Sequence, residues 1–170
     1  MRNLSVPLLK QKRLECGPTA LRMVLHYFGE KVSSGEIIGK IGGIKRYGVR
    51  TIALADFAKR AGFKVECYSY NKRLAKGKAE VIRPDKTHIL RFLKKRLPVI
   101  IAVRAFLLFE GEPPDMGHFI VITKYEKGRF WYNDPEDGKQ HRIKENDLMF
   151  AWLNNVVDSS AYLLVLHQKH

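Results

Sequence analysis

In the first third of the chain apolar side chains recur at helical spacing, and from Lys64 onward the pattern becomes that of strands; this change of period constrains the fold most. Residues 16–28 read as a helix, with Pro18 in the first turn, Leu21, Val24, Leu25 and Phe28 on one face, and Gly29 as its stop. Ser33 and Ser34 can cap a second helix that carries Ile37 and Ile38 until the Gly42-Gly43 pair breaks it. A third spans residues 50–61, offering Ile52, Ala55, Phe57, Ala58 and Ala61 for burial before Gly62 ends it.

Residues 64–70 then set Val65, Cys67 and Ser69 on one face, as a strand would. Residues 84–96 form a predicted helix with Ile89, Leu90, Phe92 and Leu93 inward, and with Lys94, Lys95 and Arg96 in the last turn, where positive charge suits the helix dipole. Strands are expected at 99–103, 119–125, 129–133 and 162–166, with a short helix near 146–153. The predicted fold class is α+β: an N-terminal helical lobe, about residues 1–62, packed on a largely antiparallel β-sheet lobe, about residues 63–170. A length of 170 residues with 45% apolar content suits one domain with one core, and no repeat or low-complexity segment interrupts it. Chemistry is expected where the two lobes meet, because such layouts place a cleft there.

With 31 Lys and Arg against 17 Asp and Glu, the formal charge of +14 favours acidic partners or an anionic surface without identifying one. Residues 71–78 carry Lys72, Arg73, Lys76 and Lys78 and read as a solvated strand-to-helix loop; nucleic acid is not the expected primary partner. The two cysteines, Cys16 and Cys67, lack the spacing of a disulfide scaffold or a zinc ribbon, so no metal or cofactor is expected. A reducing, cytoplasmic setting fits best. The start is too charged for a signal peptide, and the longest apolar run, residues 98–109, is broken by Arg104 and falls short of the ~20 residues that span a bilayer.

A nucleophilic cysteine needs help to become a thiolate, and Cys16 sits where a helix N-terminus supplies positive partial charge. Of the six histidines, His26 is mid-helix, His88 opens a basic helix, His141 falls in a polar loop, and His167 and His170 lie near the C-terminus. His118 differs: it follows the loop GEPPDMG and opens the apolar run from Phe119 to Ile122, at the mouth of a buried strand. Asp134 ends the next strand, before Pro135, where a carboxylate can accept from His118 and fix its tautomer. A tight turn at Lys127-Gly128 would set Asp134 opposite Val121, three residues or ~10 Å from His118, so contact requires a wider turn, a bulge or strong twist. Gln11, five residues before Cys16, can fold its amide back beside the thiol and form an oxyanion hole with the Cys16 backbone N–H.

Gln11 followed by ECGPTALRMVLHYFG, then GVRTIALADFAKRAGF and GHFIVITKYEKGRFWYNDPEDG, resembles the bacteriocin-processing, or double-glycine leader, peptidases among the papain-like cysteine peptidases, over about residues 8–140. The resemblance implies a papain-like fold in a stand-alone form and a peptide or protein substrate. It also implies roles: Cys16 as nucleophile, His118 as general base and acid, Asp134 as orienting residue and Gln11 as oxyanion donor. Such peptidases are often fused to a membrane transporter, whereas this sequence holds no spanning segment and no GxxxxGK[ST] phosphate loop, so export-coupled leader cleavage is not implied. The leading expectation is hydrolysis of a peptide amide through a Cys16 acyl-enzyme. The same triad also serves acyl transfer or deamidation, and the non-enzymatic alternative is a peptide-binding or basic adaptor module on the same fold.

Overall fold

A computed structural model describes residues 2–108, 111, 116–153 and 161–168. His170 and residues 112–115 of the loop before His118 lie outside the described residues, as does residue 109 at the end of the long apolar run.

Three helices come first: α1 (Cys16–Tyr27), α2 (Ser34–Lys40) and α3 (Thr51–Arg60). Ser33 caps α2 by accepting the Glu36 backbone N–H at 3.1 Å, which satisfies one of the helix's orphan donors. The later elements are β1 (Lys64–Ser69), α4 (Lys72–Ala75), β2 (Glu80–Val81), α5 (Lys86–Lys94), β3 (Val99–Arg104), β4 (Gly117–Glu126), β5 (Arg129–Asp134), β6 (Lys139–Lys144), α6 (Glu145–Leu153) and β7 (Leu163–His167). Among the described residues the strands form one sheet in the order β2-β1-β7-β3-β4-β5-β6, antiparallel throughout except for the short β1–β2 pair.

The centre of that sheet follows from the sequence. Leu163 to Leu166 in β7 and Val99 to Ile101 in β3 are buried at every successive position, and successive side chains point to opposite faces, so both faces are covered. Helices α1, α3, α5 and α6 all pack against the sheet. Gly17 shows how closely α1 approaches: a Cβ there would lie 3.2 Å from both Leu54 and the Phe119 ring. That contact seats the first turn of α1, and with it Cys16, directly on β4.

Two expectations change. Residues 71–78 are not a loop throughout: Asn71 accepts the Leu74 N–H at 3.1 Å and caps the single helical turn α4, which buries Ala75. His141 lies in β6, an edge strand with a polar sequence and an exposed, alternating pattern. Pairing with β5, rather than burial, makes KQHRIK a strand.

Candidate active site

The segment before α1 straps the β4–β5 hairpin. Leu4 N–H donates to the Thr123 carbonyl at 3.2 Å, the Asn133 side chain donates to the Val6 carbonyl at 3.0 Å, and Gln11 N–H donates to the Pro135 carbonyl at 2.7 Å. The chain then turns, with Glu15 N–H on the Lys12 carbonyl at 3.0 Å and Leu14 at φ 63°, a left-handed conformation that costs a leucine about 1–2 kcal/mol. It enters α1 at Cys16. The N-cap Glu15 makes no side-chain cap, so the positive end of the helix is open toward the sulfur.

The hairpin register explains how His118 and Asp134 meet. From the turn, Glu126 pairs with Arg129 and Lys124 with Trp131, as a tight two-residue connection requires. The next pairs are Ile122 with Tyr132 and Val121 with Asn133, so Thr123 is an extra residue in β4. This bulge does more than shorten the offset. Without it Asp134 would stand opposite Val121, whose side chain points to the face away from His118; with it the register sets Asp134 opposite Ile120, on the face of His118. Two residues diagonal on one face have their Cα atoms roughly 7–8 Å apart, within reach of an imidazole and a carboxylate. The bulge is held by the strap through the Thr123 carbonyl and by Gln140, whose amide donates to the Thr123 hydroxyl at 3.2 Å.

His118 and Asp134 are both buried, and the His118 Nε2 lies 2.7 Å from Asp134 Oδ1. The same oxygen accepts the Glu136 backbone N–H at 2.9 Å, while Oδ2 is buried without a hydrogen-bond partner among the described residues. With Nε2 on the carboxylate, Nδ1 is the nitrogen that can face Cys16, whose thiol lies close enough to the ring to raise its pKa. Burial is the largest single influence on the ring and pushes its pKa down. The hydrogen bonds from Asp134 and Cys16, with the negative charges of both, together outweigh it and hold His118 at about 9. The structure thus brings Cys16, His118 and Asp134 into one chain of contacts.

Gln11 is nearby but differently engaged. Its Nε2 donates to Glu136 Oε2 at 2.8 Å, its Oε1 is buried without a partner, and it makes no hydrogen bond to Cys16 or His118. Glu136 escaped the sequence reading; its only local signal was its place two residues after an aspartate, where an Asx turn forms. The second cysteine, Cys67, is buried in β1, and burial pushes its thiol up to about 12.

Cys16 and His118 open into a cleft of about 470 Å³. Its walls come from the segment before and into α3 (Tyr47 to Thr51), from Arg104 at the end of β3, from Leu74 of α4, and from Tyr162. These segments are distant in sequence, and nothing local marks them as a wall. No group of three or more His, Cys, Asp or Glu among the described residues is placed to hold a metal ion. Among the same residues no helix is long and apolar enough to cross a membrane.

A mostly antiparallel sheet with an N-terminal helix seated on it, and a cysteine at that helix's start facing a histidine on a strand, defines the papain-like cysteine-peptidase fold. More narrowly, the chain belongs to the Peptidase_C39 like family, whose model matches residues 3–159. It is similar to a C39-like peptidase from Bacillus anthracis, at TM-score 0.74 and 16% identity over 99% of each chain. It is also similar to the peptidase domain of Streptococcus ComA, a bi-functional ABC transporter of a quorum-sensing pathway, at TM-score 0.70 and 16% identity over 96% of this chain and 99% of that one. A double-glycine-motif protease from an AMS/PCAT transporter, solved with its leader peptide, gives TM-score 0.64 and 21% identity over 96% and 92%. No curated protein sequence matches the chain.

Proposed function

We propose that the protein is a cysteine peptidase that hydrolyses a peptide amide through a Cys16 acyl-enzyme. The observation that carries this reading is the continuous contact from Cys16 through His118 to Asp134 at the edge of an open cleft.

In the first step Cys16 Sγ, as the thiolate of an ion pair with the His118 imidazolium, bonds to the substrate carbonyl carbon. The Cys16 backbone N–H and the second, uncommitted N–H of the Gln11 amide stabilise the oxyanion. The C–N bond then breaks as His118 Nδ1 gives its proton to the leaving amine. In the second step water loses a proton to Nδ1 and attacks the thioester, releasing a carboxylic acid and restoring the pair. Asp134 fixes the tautomer by accepting from Nε2 throughout. The substrate is a peptide, in keeping with the leader peptide held in complex by the AMS/PCAT transporter's protease. A reducing, cytoplasmic setting is in keeping with two free cysteines.

Incubation with a random peptide library, followed by mass spectrometry of the products, tests the reaction. Paired fragments whose masses sum to the parent plus one water are expected. Intact peptides altered only at glutamine, or fragments joined to added amines, would replace hydrolysis by deamidation or acyl transfer.

A further inference from the structure

Arg50, the residue that precedes α3, lines the cleft and also frames a separate depression of about 330 Å³ with Arg73, Leu74 and Lys76. Arg50 and Leu74 belong to both walls, so the two hollows adjoin. The Tyr162 hydroxyl donates to the Leu74 carbonyl at 2.7 Å, tying the basic turn α4 to the cleft wall. Arg50 is half-buried with its guanidinium 5.2 Å from the centre of the Tyr47 ring, which restricts where its charge can sit.

The cations here lack the carboxylate partners that several lysines elsewhere have. Lys40, Lys78, Lys86 and Lys124 each hold a carboxylate at 2.5–3.0 Å. Arg50, Arg73 and Lys76 have no carboxylate partner among the described residues, and neither the cleft nor this depression is lined by Asp or Glu. Three cations around one hollow repel one another, and an anionic occupant relieves that repulsion.

We propose that this depression is a subsite for acidic side chains of the peptide being cut, placed beyond the scissile bond. The identity of the occupant rests on the peptidase reading, because a peptide held in the adjoining cleft is the segment placed to reach Arg73 and Lys76.

The test uses the full chain carrying Cys16→Ala, which binds without turnover, and a fluorescein-labelled peptide of alternating Glu and Gly followed by anisotropy. Saturable, salt-sensitive binding is expected, absent for the Lys-Gly counterpart and weakened roughly tenfold by Arg73→Glu with Lys76→Glu. Arg73→Gln with Lys76→Gln gives an intermediate loss and guards against a folding defect in the reversal. With the active chain, acidic residues should be over-represented on one side of the cut in library products, and the charge reversal should erase that bias. Unchanged peptide binding in both double variants overturns the subsite, as does an oligothymidylate of equal charge that binds more tightly and displaces the peptide. Library cleavage without acidic bias removes the subsite and keeps the peptidase; Glu-Gly binding with no cleavage of any peptide does the reverse.

Discussion

Cys16→Ala is expected to lower peptide hydrolysis by a factor on the order of 10⁵ to 10⁶, because no acyl-enzyme can form and only binding and oxyanion stabilisation remain. The fold should survive. Cys16 is only part-buried at the first position of α1, where alanine is a good helix former, so a change in stability within about 1 kcal/mol is expected in denaturant titration. Cys67→Ala should behave in the opposite way. That thiol is buried in β1, so its removal costs stability, about 1 kcal/mol or more, and leaves turnover in place. A Cys16→Ala chain with undiminished turnover would exclude covalent catalysis at this position.

Asp134→Asn is expected to reduce kcat/KM by a factor on the order of 10² to 10⁴, since an amide can present its N–H to Nε2 and stabilise the wrong tautomer. The variant should also move the pH profile. His118 must be protonated to give its proton to the leaving amine, so the alkaline limb of kcat/KM should fall near pH 9 in the natural chain. Without the carboxylate the hydrogen bond and the charge that raise the ring are lost while burial still lowers it, so the limb moves to lower pH. Stability follows the same sign. The folded pKa of about 9 lies above the ordinary value of 6.5, so this contribution is full below pH 6.5 and is lost as pH rises through 9. Asp134→Asn should flatten that loss. Thermal unfolding across this range, run beside the rate profile, checks both; a limb that stays in place would remove Asp134 from its orienting role.

The elements set by short-range signals were legible in the sequence. Ser33 caps α2, Cys16 opens α1, and the apolar runs of β3 and β7 are buried on both faces. What escaped was created by partners far away in the chain. The polar strand β6 exists because β5 lies beside it, and β2 is a two-residue pairing with β1. The site shows the same division. Cys16, His118 and Asp134 could be picked out by helix start, strand mouth and strand end. The need for a bulge also followed from counting, but its position did not: Thr123 becomes the extra residue through Leu4 and Gln140, which lie well outside the hairpin turn. Counting distance alone also missed that the bulge changes the face of the sheet on which Asp134 stands. Gln11 was read from proximity to Cys16, and the hold that Glu136, 125 residues away in sequence, has on its amide was not legible there.

Competitive alkylation tests the central claim, that Cys16 is a thiolate paired with His118, most directly. With iodoacetamide at mildly acidic pH and peptide mapping over time, Cys16 should be modified well before Cys67, whose thiol burial pushes to about 12, and His118→Ala should remove most of that advantage. Slow labelling of Cys16 that His118→Ala leaves unchanged, at a rate equal to that of Cys67, would contradict the pairing and the peptidase mechanism built on it.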